Sequence, residues 1–402
     1  MNRRMDRSQF HIGTYSLRPY ARTEKHIREL AECGIDFVVG VEQDTRMLDL
    51  FLHYGIGAVV NRIVPGWFGG TGENAGTMAE KNAPDDYRTA ADKFRDHPAI
   101  WGIDAGDEPS SLDFPHLGRV MALVDKQFEN QFAYMNLYAS YGMRADSAPG
   151  QAARELGCGD YGQYLRSYCE AVQTDYLCFD HYMYTTDWHS LVRDLKTAAE
   201  VCKKYNRDLW VVLQVNSRDP AVYLSEKQLR LQAYTAMAFG VTCISWACYT
   251  AGWWHNQVLD RNGEKTEQYE KLKRVNGHIW GLSEAYMRYR WVASQQLGAS
   301  DEAAQWGQFR EISVGHGHTL LAGHMEQRDG SGAKALFLVA PDGEDVVTLR
   351  FRSSGPVHFQ TGEAVQLLTP DAEAMYTLLI PACGGGLLTC EENGPTENGK
   401  AY

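Results

Sequence analysis

The stretch Ile100-Trp-Gly-Ile-Asp-Ala-Gly-Asp-Glu-Pro109 decides how the rest of the chain is interpreted. It is a short apolar run that ends in two acids and a proline, and an amphipathic segment, Leu117–Phe128, follows it. This order predicts a strand succeeded by a helix. The same alternation of short apolar runs and longer amphipathic segments recurs on both sides, which predicts repeated β-then-α units around a parallel sheet.

Eight such units can be counted in the sequence. The predicted strands are His11–Ser16, Asp36–Val41, Gly57–Ile63, Ile100–Gly106, Phe132–Ser140, Tyr176–Tyr184, Leu209–Ser217 and Cys243–Thr250. The predicted helices are Glu24–Cys33, Asp86–Arg95, Leu117–Phe128, Tyr161–Val172, Leu191–Tyr205, Glu226–Phe239 and Thr266–Ala285. Units of this size close most economically into a (β/α)8 TIM barrel, so the fold class is α/β with a barrel over residues 8–288.

The hydrophobic pattern of the sequence changes after about Trp291. Short strands, such as Thr319–Met325, Ala333–Val339 and Val346–Phe351, are separated there by Asp-Gly and Gly-Ser turns. This pattern predicts a smaller C-terminal antiparallel β-sandwich domain over residues 291–390. The polar residues 391–402 are expected to form a loose tail.

Composition restricts the possible partners. The 402 residues carry 39 Lys and Arg against 51 Asp and Glu, a net charge of −12. This charge repels a nucleic acid or an anionic membrane, and no basic patch offsets it. No apolar run of signal-peptide length follows the N-terminus, which favours a cytoplasmic location. The uncharged stretch Gln232–Trp254 is long enough to span a membrane, but its sequence suits a helix followed by a buried strand better.

Cysteine and histidine spacing gives no indication of a metal or a cofactor. The nine cysteines form no Cys-x-x-Cys pair, so reduced thiols are expected rather than a disulfide framework. His255, His181, Asp180 and Glu42 all follow strands, yet no His-x-His or His-Glu-x-x-His spacing joins them into a metal site. Neither a metal nor a cofactor is predicted, and a homo-oligomer is left open.

Polar and aromatic residues cluster where the predicted strands end, which is where TIM barrels carry their reacting groups. From strand three to strand eight and the loop after it, these candidate residues are Trp67, Asp107, Glu108, Asn136, Tyr138, Asp180, His181, Tyr182, Gln214, Asn216, Trp246, Tyr249, Trp253, Trp254 and His255. Indole and phenol rings at such a site can stack on the apolar face of a ligand. Asn136, His181 and Asn216 are candidates for hydrogen bonds to the same ligand.

The segment Gly106-Asp-Glu-Pro109 resembles the Asn-Glu-Pro signature of the clan A glycoside hydrolases. Over the barrel and the trailing β domain, the chain is most similar to β-galactosidase-like, family 42-type TIM barrels. The resemblance implies a carbohydrate substrate and makes Glu108 the general acid/base of glycosidic cleavage. It makes the aromatic candidates platforms for a sugar ring, with Trp246 first because clan A barrels commonly carry a Trp on strand eight. Asn136, His181 and Asn216 would then bind sugar hydroxyls. The resemblance also implies a nucleophilic Glu at the end of strand seven, where this chain has Gln214.

Four explanations for Gln214 are open. The first is that the partner carboxylate has moved, with Asp180 the best candidate and Glu42 and Asp107 behind it. The second is an inverting or substrate-assisted mechanism, with water as the attacking group. The third is that Gln214 is an engineered replacement of Glu, and the fourth is a protein that binds sugar without cleaving it.

Each carboxylate also has a purely structural interpretation. Glu108 could serve as an N-terminal helix acid, and Asp180 could bond to the backbone or to an arginine such as Arg62. The sequence therefore predicts a hydrolase of a small soluble glycoside or oligosaccharide, with Glu108 as acid and Asp180 as nucleophile or base. A non-catalytic carbohydrate-binding barrel and a barrel lyase or isomerase are the alternatives.

Overall fold

The computed structural model describes residues 4–15, 17–64, 67, 74–82, 96–144, 156–298, 303–341, 343 and 345–390. Contacts divide the chain into two compact units. The first comprises Met1–Gln232 and Val241–Asn276, and the second comprises Ala233–Gly240 and Gly277–Tyr402. The predicted domain bounds, 8–288 and 291–390, stay a prediction, and the predicted loose tail, 391–402, lies outside the described residues.

The first unit contains a parallel barrel. Its strands are β1 His11–Tyr15, β2 Phe37–Val41, β3 Gly57–Val60, β4 Ile100–Asp107, β5 Phe132–Asn136, β6 Tyr176–His181, β7 Asp208–Gln214 and β8 Val241–Ala247. They are hydrogen-bonded in the order β5-β4-β3-β2-β1-β8-β7-β6. A parallel bridge between Leu137, just beyond β5, and Phe179 of β6 joins the two end strands. The sheet therefore closes on itself.

Helices follow most of the strands. They are α1 Glu24–Glu32, α2 Thr45–His53, α3 Met78–Lys81, α4 Phe114–Gln127, α5 Tyr161–Ala171, α6 Trp188–Tyr205, α7 Glu226–Met237 and α8 Glu267–Met287. Ser225 begins α7 with a capping box, because its hydroxyl accepts from the Gln228 N–H at 3.2 Å and the Gln228 side chain accepts from the Ser225 N–H at 2.8 Å. After α1, Gly34 adopts a φ of 77°, which favours glycine and ends the helix.

Alternate residues of the strands fill the barrel interior. The buried cluster includes Phe37, Val39, Val59, Phe132, Tyr134, Tyr176, Cys178, Trp210, Val212, Cys243 and Ala247. The rings of Tyr176 and Trp210 stack with their centroids 3.9 Å apart. Because side chains alternate along a strand, the inner face continues to Asn136 on β5, Asp180 on β6 and Gln214 on β7. These polar side chains cover the top of the apolar core.

The second unit is an antiparallel β structure. Its strands are β9 Tyr289–Leu297, β10 Ala304–Trp306, β11 Phe309–Val314, β12 Leu320–Gln327, β13 Lys334–Val339, β14 Val347–Ser353, β15 Val357–Gln360, β16 Val365–Leu368, β17 Tyr376–Ile380 and β18 Gly385–Cys390. One sheet has the order β16-β15-β18-β13-β12-β9 and the other β10-β11-β14-β17. Buried side chains from both sheets, among them Phe309, Leu336 and Phe351, form one core.

The predicted fold class, a (β/α)8 barrel followed by an antiparallel β-sandwich, is confirmed. All eight predicted barrel strands are present. Helices α2 and α3 were not predicted, and the predicted helix Asp86–Arg95 lies outside the described residues. Within the described part of the chain, no helix has both the length and the apolar character needed to cross a membrane.

Candidate active site

The backbone at the end of β4 fixes the position of Glu108. The Asp107 N–H donates to the Trp67 carbonyl at 2.7 Å, and the Glu108 N–H donates to the Asn136 carbonyl at 2.9 Å. Gly106 has a φ of 133°, and a Cβ there would lie 2.4 Å from the Trp67 carbonyl oxygen. Glu108 has a φ of 47°, which is uncommon for a residue with a side chain. In this conformation its carboxyl meets that of Asp180.

Asp180 is the most fully bonded acid of the site, and only 1% of it is exposed. Its Oδ1 accepts a hydrogen bond from Asn136 Nδ2 at 3.2 Å, and its Oδ2 accepts one from the Tyr141 hydroxyl at 3.0 Å. A further hydrogen bond joins its carboxyl to that of Glu108. Strands β4 and β6 and the turn after β5 therefore converge on one carboxyl.

Of the two carboxyls, that of Glu108 has the stronger tendency to be protonated. Two carboxylates in contact cannot both be ionised at little cost. Burial, together with the negative charges of Asp180 and Asp107, raises the pKa of Glu108 far above its usual range. Burial also raises the pKa of Asp180, but its bonds from Tyr141 and Asn136 oppose that effect by favouring the ionised form. Glu108 is thus the acid of the pair and Asp180 the carboxylate.

Asn136 links Asp180 to a third acid. Its Nδ2 donates to Asp107 Oδ1 at 2.9 Å as well as to Asp180, and its Oδ1 accepts from the Cys178 thiol at 3.5 Å. Burial raises the pKa of Asp107. It also raises the pKa of Asp104, which lies further back on β4, to about 7. Among the described residues, no Lys or Arg pairs with these acids.

The contact between Glu108 and Asp180 is too close for a sugar to lie between them. Retaining glycosidases separate their two carboxyls by ~5–5.5 Å and inverting ones by ~6.5–9.5 Å. A direct hydrogen bond is shorter than either spacing. In this conformation the pair occupies the space that a scissile bond would need.

Three aromatic side chains lie beside the acids. Tyr182 is close enough for the charges of Asp180 and Asp107 to raise its pKa, although burial is the larger cause. Its ring packs edge-on against Trp254 at 5.1 Å, and the Trp253 ring lies 6.2 Å away. Trp253 is 41% exposed. We call Tyr182, Trp253 and Trp254 the aromatic face; their predicted role in binding a substrate stays a prediction.

Two other aromatic candidates, Trp246 and Tyr249, are fully buried, so their predicted role as sugar platforms is wrong, whereas the role of Trp67, whose carbonyl accepts from the Asp107 N–H, stays a prediction. Trp246 is fully buried, and its Nε1 donates to Asn276 of α8 at 2.9 Å, on the outer side of β8. Tyr249 is also fully buried, near Cys33 and Tyr269. Trp67 is 5% exposed and has Lys81 of α3 5.8 Å from its ring.

Gln214 and Asn216 serve the backbone rather than a ligand. The Gln214 Oε1 accepts from the Tyr184 N–H at 3.0 Å, and its Nε2 donates to the Asn216 carbonyl at 2.9 Å. A carboxylate at position 214 could not make the second bond because it has no proton to donate. Asn216 is fully buried, and its Nδ2 donates to the Trp253 carbonyl at 2.8 Å. The site therefore fits an amide at position 214.

The remaining candidates have mixed outcomes. His181 is fully buried, with its Nε2 3.5 Å from Asp194 of α6, so its predicted role in binding sugar hydroxyls is wrong. Burial lowers its pKa to about 3, which keeps the ring neutral. His255 is exposed, and its backbone pairs with Ser217. Tyr138 is half-buried beside Gly142, and its role stays a prediction.

Glu42 and Arg62 do not belong to the acid cluster. Glu42 pairs with Arg22 at 2.6 Å and with Arg62 at 3.6 Å, and the bond from Arg22 lowers its pKa. Glu42 is therefore not the missing partner carboxylate, and Arg62 does not neutralise Asp180. Within the described residues, no group of His, Cys, Asp and Glu side chains is arranged to hold a metal ion.

Sequence reasoning missed Tyr141 and Asp104. Tyr141 lies in the turn Ser140–Arg144 after β5, where no periodic pattern indicates which way a side chain points. Asp104 lies two residues before Gly106, so strand alternation could have placed it on the face of Glu108. The register shift between Asp104 and Asp107 alters that alternation and brings Asp107 inward too.

Comparison with known proteins supports the fold. No family model and no curated protein sequence matches the chain. Among solved structures, a GH42 β-galactosidase from G. stearothermophilus, solved as a catalytic mutant, is 7% identical, with a TM-score of 0.61 over 98% of this chain and 100% of that one. A GH51 arabinofuranosidase from Xanthomonas axonopodis pv. citri is 12% identical, with a TM-score of 0.49 over 96% and 97%.

At the level of the fold, the expected resemblance to family 42-type barrels is therefore confirmed. An identity of 7% shows a shared architecture. The reaction has to be argued from the side chains themselves.

Proposed function

We propose that this protein is a glycoside hydrolase that cleaves the glycosidic bond of a small soluble glycoside or oligosaccharide. The observation that supports this most is the contact of Glu108, whose pKa is raised far above its usual range, with Asp180 at the carboxyl end of a TIM barrel, where the Tyr141 hydroxyl donates to the Asp180 carboxyl. Cleavage of an acetal needs one carboxylic acid at the leaving oxygen and one carboxylate near the positive anomeric carbon. The pair supplies both groups.

In the proposed reaction the substrate separates the two carboxyls. The glycosidic oxygen takes the Glu108 proton while its bond to the anomeric carbon breaks, and Asp180 faces the developing positive charge. Asp180 then either forms a bond to that carbon or accepts a proton from an attacking water. The anomeric configuration of the first product, followed by NMR, distinguishes these two routes.

The aromatic face gives the substrate a place to bind. The half-exposed rings of Trp253 and Trp254 offer apolar surface to one side of a sugar ring, while acids and amides lie next to Tyr182. We propose β-galactosides as the first substrates to test, because a GH42 β-galactosidase shares the fold. A cytoplasmic location remains a proposal.

Replacing the acid tests the proposal. Glu108→Gln keeps the size of the side chain but removes the proton, so hydrolysis of alkyl glycosides and disaccharides should fall by about 10²–10⁴-fold. Aryl glycosides with a good leaving group should lose much less, because they need little acid assistance. The measurement is kcat/KM on a panel of nitrophenyl and natural glycosides.

Glu42→Gln is the matched control, since Glu42 also follows a barrel strand but pairs with Arg22. This variant should retain activity on every substrate that the wild-type protein cleaves. Undiminished turnover of a disaccharide by Glu108→Gln would overturn the assignment.

A non-catalytic sugar-binding barrel is the second candidate. It is favoured by the side chain of Gln214, which is engaged with the backbone where family resemblance implies a nucleophile, and by the closeness of Glu108 and Asp180. Calorimetry that shows sugar binding, together with no turnover on any glycoside of the panel, would support this candidate instead.

A further inference from the structure

We propose that Tyr141 is a positioning residue for the carboxylate of Asp180, and that Asp194 of α6 acts on Asp180 through the turn that carries Tyr141. The inference rests on the proposed function only in taking Asp180 as a reacting carboxylate. Neither residue was among the candidates drawn from the sequence.

The contact of Tyr141 with Asp180 is direct. The Tyr141 hydroxyl donates to Asp180 Oδ2 at 3.0 Å, whereas Asn136 donates to the other oxygen. The Tyr141 ring packs edge-on against His181 at 5.3 Å, which fixes it on the side of the carboxyl away from Asn136. Burial and the charge of Asp180 raise the pKa of the phenol, so it stays a donor at every working pH.

Asp194 is hydrogen-bonded to the turn that carries Tyr141. It is fully buried on α6, and its Oδ2 accepts a hydrogen bond from the Ser140 N–H at 3.0 Å. Ser140 is the first residue of the turn, directly before Tyr141. The same Oδ2 lies 3.5 Å from His181 Nε2. One carboxylate therefore contacts both the turn that carries Tyr141 and the ring against which Tyr141 packs.

This arrangement has a chemical consequence for Asp180. Each donor to a carboxylate stabilises its ionised form and restricts the direction in which its oxygens point. Without the Tyr141 hydroxyl, Oδ2 of Asp180 loses its neutral hydrogen-bond donor. The pKa of Asp180 should then rise. Other titratable groups also face Asp180, and these are Asp107, Glu108, Cys178, Tyr161 and Tyr182.

The test is a titration of Asp180 in the intact protein. Side-chain carboxyl carbons of ¹³C-labelled protein are followed by NMR, and Asp180→Asn identifies the signal. Tyr141→Phe should raise the titration midpoint of Asp180 by about one pKa unit, as expected for a lost hydrogen bond to a charged group. Tyr168→Phe is the matched control, because Tyr168 is fully buried on α5 and makes no contact with Asp180.

Two variants of Asp194 separate positioning from simple charge. If Asp194 acted only by its charge, Asp194→Asn and Asp194→Ala would lower the midpoint of Asp180 equally. If it acts through the turn, Asp194→Asn keeps an acceptor for the Ser140 N–H and Asp194→Ala does not. The alanine variant should then titrate higher than the asparagine variant, and this difference should vanish when Tyr141→Phe is also present. Should Asp194→Ala not fold, Asp194→Ser takes its place.

An unchanged midpoint in folded Tyr141→Phe, or equal midpoints for the two Asp194 variants, would overturn the inference. The titration needs no substrate, so its result is independent of glycosidase activity. If the protein does hydrolyse glycosides, Tyr141→Phe should lower kcat more than it changes KM. It should also shift the acidic limb of the pH profile of kcat toward higher pH, because the pKa of Asp180 is raised.

Discussion

At the scale of single residues, the site gathers carboxyl groups with which no Lys or Arg pairs in the described part of the chain. Burial raises the pKa values of Asp104, Asp107, Glu108 and Asp180, so the folded chain holds protons that the unfolded chain releases. Stability therefore falls as pH rises from the ordinary range of these acids toward their raised values. Such a cost is common where a site is built for chemistry rather than for stability.

Asp104→Asn tests this cost. Burial raises the Asp104 pKa to about 7, so its protonated form is stabilised in the fold, and that stability is lost between about pH 4 and pH 7. Asparagine cannot ionise, yet its oxygen can still accept from the Gly106 N–H as Asp104 does at 3.1 Å. The variant should gain stability relative to the wild-type protein as pH rises from 5 to 8, measured as melting temperature.

Asp371→Asn is a control in which the pKa shift has the opposite sign. Bonds from the Met375 N–H and Glu373 N–H lower the pKa of Asp371 in the second unit. Its stabilising effect is present at neutral pH and is lost as pH falls through the lowered value. This variant should gain no stability at pH 8, and a parallel gain in both variants would contradict the assignment to Asp104.

Gln214→Glu tests whether the amide belongs at its place. A carboxylate would bring an acceptor against the Asn216 carbonyl, where Gln214 Nε2 now donates at 2.9 Å. We expect a loss of about 1–3 kcal/mol at pH 8, smaller at pH 5, where a protonated Glu can donate again. Thermal melts at the two pH values measure the loss. A large gain in glycosidase activity would show instead that position 214 had lost its nucleophile.

At the scale of elements, the end of β4 sets the geometry of the acids. Gly106 combines a φ of 133° with close approach to the Trp67 carbonyl, so a side chain there is strained and also collides. Gly55, after α2, also has a positive φ, 70°, but a Cβ there would meet nothing within 4 Å. The two glycines therefore separate backbone strain from collision.

Gly106→Ala should cost more than Gly55→Ala. The Gly55 variant should lose about 1–2 kcal/mol, the usual cost of a left-handed conformation for alanine. The Gly106 variant should lose more and should also lose activity, because β4 must shift and carry Glu108 with it. Denaturant unfolding and kcat/KM measure the two effects. Equal losses would mean that the Trp67 contact relaxes freely.

The sequence alone could not show which of the aromatic candidates face the site. A short apolar run located β8, but both faces of a parallel strand are buried, so hydrophobicity does not tell the inner face from the outer one. The resemblance to clan A barrels made Trp246 the first choice as a ligand platform, yet it packs against α8. Tyr182 and Trp254 pack against each other and remain partly exposed.

At the scale of the whole molecule, the strand and helix periods were strong enough to predict the barrel and the β-sandwich. The carboxyl ends of strands meet at one edge of a barrel, so Glu108, Asp107 and Asp180 could be expected to lie together. Their separation could not be predicted, because it depends on the strained backbone of Glu108. Nor could the contact with Tyr141, which a turn without a periodic pattern provides.

The reactivity of the cysteines tests how well they are buried across the whole chain. All nine cysteines are free and buried. Burial raises the pKa of several of them, for example that of Cys169 to about 11, so little reactive thiolate forms. Ellman's reagent at pH 8 should therefore titrate almost no thiol in the native protein and all nine after guanidinium unfolding. Rapid reaction of several thiols without denaturant would contradict this burial.

The closure of the barrel has a consequence for motion. Next to Asn136 and Asp180, β5 and β6 are joined around Leu137 by two backbone hydrogen bonds, to Cys178 at 2.9 Å and from Asp180 at 3.2 Å. A seam with so few bonds opens locally at a smaller free energy than the longer ladders around it. Fluctuations of this seam move Asp180 relative to Glu108. If the protein cleaves glycosides as proposed, this seam is where the barrel would open to let a substrate enter between its two acids.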